Sequence, residues 1–300
     1  MASIMVFSSA LTAETAVGVA WQGKSVMTSH VLKGLEASLA NVQDIKLEIK
    51  KELPDAAALT AAVTEFEKNK KGLIIFRSNA AGLIKSRDLL LPTFVGAVNN
   101  PIELGIATSL DKPKKNLTGV TYYIPASVKL DTFKRVYPAM KEFILLVEEG
   151  HPSSKIDADE TLADAAKLGL SGKSIFCKTL DEATAAIVAS SPSTSLVLGS
   201  QALLMNNAGK IIEAAGNRPV FSYSEVPIKA GALLGVVADD EKLGKMLGLM
   251  VAEVLVNGKN IDSLAFQTDP EPMLYINAKT AERLKIQIPF DILSVAKIVE

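Results

Sequence analysis

Apolar and polar positions follow two periods that take turns along the chain. Val17 to Trp21 is an apolar run, as a strand covered on both faces requires. From Ser25 to Leu39 the apolar residues Val31, Leu32, Leu35 and Leu39 recur at helical spacing. Ile45 to Ile49 alternates with lysine and glutamate, the pattern of a more exposed strand. Asp55 is placed to cap a helix through Phe66, Gly72 to Phe76 is a wholly apolar strand, and Ser78 to Lys85 can turn into a helix. Thr93 to Val98 is a fourth strand. Strands joined through helices run parallel.

Val120 to Ile124 reads as a crossing, after which the alternation restarts. Helical spacing over Leu130–Met140, 162–168, 181–189 and 203–215 is interleaved with apolar strands at Phe143–Val147, 174–177, 196–198 and 220–223. Two such series in one chain predict an α/β protein of two doubly wound lobes.

The tract Gly231–Ile288 has a different character. Leu233, Leu234, Val236 and Val237 form a strand ending at Asp239-Asp240. A long helix follows, with one stripe through Leu243, Met246, Leu247, Met250, Val251, Val254 and Leu255. Asp239 or Asp240 can cap its start, and Gly258 stands where a left-handed residue closes a helix. The stiff Asp269-Pro270-Glu271-Pro272 segment then leads to a strand through Leu274 and Ile276 and a last short helix. This is the pattern of a chain passing between two bodies.

The tract GALLGVVADDEKLGKMLG (231–248), the NGKNI after it (257–261), YINAKTAERLKIQIP (275–289) and DILSVAKIVE (291–300) resemble the type I periplasmic-binding-protein fold. Within it they resemble the ABC-transporter substrate-binding group that includes tryptophan- and tyrosine-type binding proteins. NNPIELG (99–105) and NLTGVT (116–121) fit the same group. The resemblance implies two Rossmann-like lobes joined by a three-strand hinge, with a ligand cleft between them. One lobe would hold residues 14–121 and 237–269, the other 122–236 and 270–300. It further implies a periplasmic carrier, monomeric, that closes over a small organic ligand, with an amino acid of aromatic type favoured. The carrier would deliver its ligand to an ABC permease with its ATPase. The alternative is a sensing module of the same fold that feeds a signalling partner; a small α/β enzyme is a third reading.

In open α/β sheets ligands bind beyond the carboxyl ends of the strands. That rule selects the loops bearing Trp21 and Gln22, Ser78 and Asn79, Asn99, Glu149, Ser200, Tyr223 and Glu225, and the first crossing adds Tyr122 and Tyr123. Their hydroxyls, amides and aromatic rings suit hydrogen bonding and stacking on a small polar molecule. Free N–H groups at Ser78 and Asn79 would receive a carboxylate, and Glu225 an amine. Arg77 is read as the partner of a nearby acid.

Composition narrows the classes. Apolar residues make up 48% and charged residues 22%, with a formal net charge of −1, so no broad attraction to nucleic acid is expected. Cys177 is the single cysteine and reads as buried packing. Ser3 to Leu11 is short and mostly apolar, with small residues up to Ala16 and no basic start. Residues 1–13 are therefore read as a truncated signal peptide. No stretch is long enough to span a bilayer. No GxGxxG follows the first strand, and no phosphate loop is present. His30 and His151 lack ligand-like spacing, so neither cofactor nor metal is expected. His151-Pro152-Ser153 reads as solvated loop, and Glu148-Glu149 would point to opposite faces of a strand.

Overall fold

The computed structural model describes residues 14–40, 42, 45–111 and 113–300. The segment 1–13, read above as a truncated signal peptide, lies outside the described residues. The chain begins β1 (Thr15–Gln22), α1 (Val26–Leu39), β2 (Ile45–Leu53), α2 (Ala56–Asn69), β3 (Gly72–Phe76), a 3-10 turn at Ser78–Ala80, α3 (Ala81–Lys85), β4 (Thr93–Val98) and β5 (Leu117–Thr121). It continues α4 (Ala126–Val136), β6 (Glu142–Glu148), α5 (Pro152–Lys167), β7 (Ser171–Cys177), α6 (Leu180–Ala189), β8 (Ser195–Leu198), α7 (Ala202–Asn206), α8 (Ala208–Ala215), β9 (Val220–Ser222), α9 (Glu225–Lys229) and β10 (Leu234–Val237). It ends α10 (Asp240–Leu255), β11 (Gln267–Thr268), β12 (Met273–Asn277), α11 (Ala278–Arg283), α12 (Phe290–Leu293) and β13 (Lys297–Val299).

These strands form two sheets, one ordered β11-β5-β4-β3-β1-β2 and the other β13-β12-β10-β9-β8-β6-β7. The first is parallel throughout. In the second, β12 runs antiparallel to β10, because β10 carries the chain toward the other lobe and β12 brings it back. The chain crosses between lobes at 122–125, at 238–239 and at 269–272. Asp269, whose side chain is fully buried, ties the last two crossings together. It accepts from the Asp239 backbone N–H at 2.8 Å, from the Glu271 N–H at 3.0 Å and from Lys242 Nζ at 2.7 Å. No helix among the described residues is long and apolar enough to cross a membrane.

Local chemistry sets the helix starts. Ser25, Asp55 and Asp239 each accept from a backbone N–H three residues on, so each satisfies one donor left open by the first turn. Several bounds differ from those the period predicts. The helix expected over Leu130–Met140 is α4, and it starts at Ala126. The helix expected over 162–168 is α5, and it starts ten residues earlier, at Pro152. The single helix expected over 203–215 is broken at Asn207 into α7 and α8, and α9 was not expected. Gly258 is left-handed with φ +72°, but it stands two residues past the cap at Val256.

The long helix α10 packs on α1 at backbone contact distance. A Cβ added at Gly34 would meet the Glu241 carbonyl oxygen at 2.0 Å, and one added at Gly244 would meet the Val31 carbonyl oxygen at 2.0 Å. This closeness lets Leu243, Leu247 and Val251 bury against Val31, Leu35 and the sheet. Replacing Gly244 by valine should therefore cost about 2–3 kcal/mol in urea unfolding, as an overpacked contact between rigid backbones does. Gly82 in α3 has open space around its Cβ position and no positive φ. Gly82→Ala should be neutral or add up to about 1 kcal/mol. Equal effects of the two changes would show that the seam is looser than its geometry.

Candidate functional site

The site grows from α5. Its N-cap is His151, whose Nδ1 accepts from the Ser153 N–H at 3.2 Å and pairs with Ser153 Oγ at 2.8 Å. Pro152 at the first helical position fixes a helical φ where the missing N–H costs nothing. The helix then turns a polar stripe inward, with Ser153, Asp157, Thr161 and Asp164 all buried. Two of its carboxylates cap the neighbouring α4. Asp164 accepts from the Ser127 N–H at 2.9 Å, and Glu160 from the Ala126 N–H at 3.3 Å and from the Tyr123 hydroxyl.

Asp157 is the centre of this stripe. Asn99 Nδ2, from the loop after β4 in the first lobe, donates to its Oδ1 at 2.8 Å. Gln201 Nε2, from the loop after β8 in the second lobe, donates to its Oδ2 at 2.6 Å. Burial raises the Asp157 carboxyl pKa, while the nearby Lys129 ammonium and the two amide donors act against that rise. Gln201 Oε1 is buried with no partner. Asn99 is itself held by Ser78, whose Oγ accepts from its backbone N–H at 2.9 Å.

Two cavities flank Asp157. One, of about 10 Å³, is bounded by Asn99, Tyr122, Tyr123, Ile124, Lys129, Asp157, Ser200, Tyr223 and Val236. Here Tyr223 is fixed by a 2.7 Å hydroxyl contact with Thr161 and by stacking near Phe133, and Lys129 Nζ sits 3.7 Å from its ring centroid. The other, of about 20 Å³, is walled by Arg77, Ser78, Tyr122, His151, Ser200 and Gln201 among others. Burial, reinforced by the Asp157 charge, pushes the Tyr122 phenol up to about 12, against the pull of hydroxyls from Ser200, Ser78 and Ser153. Arg77 donates from Nη1 to the Gln22 carbonyl and lies near Glu148. A wider recess outside these cavities is lined by residues of both lobes, including Asn79, Asn100, Tyr123 and Glu160. Among the described residues no cluster of His, Cys, Asp and Glu could hold a metal ion.

The expected residues divide accordingly. Ser78, Asn99, Tyr122, Ser200 and Tyr223 gather around the two cavities, Tyr123 spans the inner cavity and the recess, and Asn79 lines the recess. Gln22 takes part through its carbonyl. Three stand elsewhere. Trp21 is 3% exposed and packs on Phe76 in the core beneath α1 and α10. Glu149 is half-exposed and pairs with Lys178 at 3.3 Å. Glu225 pairs with Lys229 at 2.6 Å and lies by Tyr275 and Asp240, at the hinge crossings. Ser78 opens a 3-10 turn that leads into a five-residue helix, and its hydroxyl accepts from the Asn99 N–H. Sequence reasoning passed over Lys129, His151, Asp157 and Glu160, while Gln201 stands in the Ser200-Gln201 loop that the carboxyl-end rule selects. His151 is a buried cap and not solvated loop. The available signal was a polar residue at each inward step of α5 and a lysine on the apolar stripe of α4.

A family model described as ABC transporter substrate binding protein matches residues 16–300. The chain is 27% identical over 258 residues to a tyrosine-binding protein of Clostridioides difficile (strain R20291), covering 81% of this chain and 72% of that one. The solved structure of an ABC domain in complex with L-Trp from Streptococcus pneumonia matches with a TM-score of 0.84 at 21% identity, over 96% of this chain and 100% of that one. The ligand-free, open structure of a substrate-binding protein with adhesive properties from Clostridium difficile matches with a TM-score of 0.76 at 18% identity, over 95% and 99% of the two chains. The structural matches establish the type I periplasmic-binding-protein fold.

The cap at His151 predicts a pH dependence. Burial, and then the Arg77 guanidinium, lower the imidazole from 6.5 to about 4. Protonation would also turn the capping acceptor Nδ1 into a donor. As pH falls below 6.5 the unfolded chain therefore takes up the proton first, and stability is lost until the folded value near 4 is reached. Asp240, raised well above its usual value by burial and then by Glu225 and Asp239, titrates with the opposite sign, so a matched variant is needed. Between pH 7 and 5 the wild type should lose about 1–2 kcal/mol more than His151→Asn, which keeps a capping oxygen. Parallel stability curves would remove the imidazole from the account.

Proposed function

The chain belongs to the family of ABC transporter substrate-binding proteins, and from that membership we propose that it closes its two lobes over a small amino acid, aromatic by preference, and delivers it to an ABC permease. The observation that carries this reading is a carboxylate, Asp157, buried where the lobes meet and bordered by the rings of Tyr122 and Tyr223. A buried carboxylate binds a ligand ammonium strongly, and tyrosine rings supply flat apolar contact with a polar edge. The amine-binding role expected at Glu225 passes to Asp157. The aromatic preference is supported by the relative named for tyrosine and by the neighbour solved with L-Trp. In this reading no bond is made or broken, the carrier is exported and monomeric, and the lobes comprise 14–121 with 237–269 and 122–236 with 270–300.

Purified protein, denatured and analysed by mass spectrometry, should release an aromatic amino acid. Calorimetry on stripped protein should show saturable binding of L-tyrosine or L-tryptophan, weakened by about 2–3 kcal/mol in Asp157→Asn, the scale of a hydrogen bond to a charged group. Loss of the gene should abolish uptake of the labelled amino acid. Absence of both released ligand and binding heat would reject the amino-acid assignment.

A further inference from the structure

Lys129 is an anomaly on α4. It occupies the inward stripe with Ala126, Leu130, Phe133 and Val136, where an apolar residue is expected, and it is only 8% exposed. Its ammonium rests 3.7 Å over the Tyr223 ring and faces the small cavity between the lobes. Asp157 and Glu160 act on it through space alone, and burial lowers its pKa. A lysine ammonium has three donors and no acceptor capacity of its own. The ammonium rests on a ring and has no protein oxygen among the described residues as partner, an arrangement that favours one supplied from outside. The other charge on that cavity wall, Asp157, is already provided with two amide donors. An oxygen for Lys129 is best supplied from the cavity it faces, by a water or by a ligand group that displaces it.

We propose that Lys129 is the carboxylate anchor of the ligand, so that Lys129 and Asp157 together select a molecule carrying an acid and an amine side by side, an α-amino acid. The inference rests on the function proposed above and deepens it. Asp157 alone would accept any aromatic amine; Lys129 excludes amines that lack the acid. Tyr223 then has two uses. It holds the ammonium over its face while the cleft is empty, and it presents the same face to the ligand once the ammonium turns to the carboxylate.

The test compares L-tyrosine with tyramine, and L-tryptophan with tryptamine, by calorimetry on stripped protein. 3-(4-Hydroxyphenyl)propionate, which keeps the acid and lacks the amine, is the third probe. The wild type should prefer the amino acid to its amine by about 10–150-fold, the range that one hydrogen bond to a charged group contributes. In Lys129→Met that preference should collapse to within about threefold, chiefly through weaker amino-acid binding. Asp157→Asn should instead lose the preference for tyrosine over the hydroxyphenyl acid. Lys129→Gln is the second variant should Lys129→Met not fold, and it should also lose most of the preference. A lysine variant that keeps the wild-type preference overturns the anchor and leaves the proposed function standing. Wild-type protein that binds none of the probes overturns both.

Discussion

A carboxylate removed from water has to be given donors, and in this protein the donors for Asp157 come from both lobes. That one requirement ties the loop after β4 to the loop after β8 through the middle of α5. Removing either amide would leave a buried charge short of a partner, which is far more costly than the modest net gain of the bond itself. The same demand spreads outward. Asn99 is placed by Ser78, Gln201 by its seat ahead of α7, and Ser153 and His151 by the cap of α5. The interface between the lobes is thus wired from polar groups, and separation would return each of them to water. A polar contact of this kind can open and close with little net change in free energy, which a purely apolar interface of the same extent cannot do.

The hinge has the complementary construction. Its three crossings contain Pro125, Pro270 and Pro272, whose fixed φ limits how the segments bend. Asp269 draws the second and third crossings together through Asp239, Glu271 and Lys242. Beside them, the close seam of Gly34 and Gly244 locks α10 onto the first lobe immediately after it leaves the second. Each lobe has its own buried cores; in the proposed closure the bending would fall on the short crossings.

The fold was legible in the sequence because its strands are continuous apolar runs and its first-lobe helices carry regular apolar stripes. The site was legible only in part. The carboxyl-end rule led to Ser78, Asn99, Tyr122, Ser200 and Tyr223, since it depends on topology alone. It failed where side-chain direction decides. Trp21 shares the face of Val17 and Val19, and the period of two along β1 turns it toward α10, whereas Ala20 faces the other way. The first turns of α5 were hidden because polar residues occupy the positions where an apolar period is sought. Lys129 was hidden because it precedes the first leucine of its helix. A buried functional helix face reads in a sequence as surface, so apolar periodicity overlooks the residues that bind.

Perturbed titratable groups in a cleft are usual marks of catalysis. Here the directions suit binding equally well. Burial disfavours the charged form of each group, lowering the Lys129 and His151 values and raising that of Asp157, so the cleft holds its charges at a cost. With the anchors assigned as above, a ligand that brings a carboxylate to Lys129 and an ammonium to Asp157 removes much of that cost, and a ligand with one charge removes about half. A ligand shifts a conformational equilibrium only by its difference in affinity for the two states. The charges would therefore do more than hold the ligand. They would make closure conditional on the right pair of opposite charges, so that recognition and the change of shape presented to a transporter become one event.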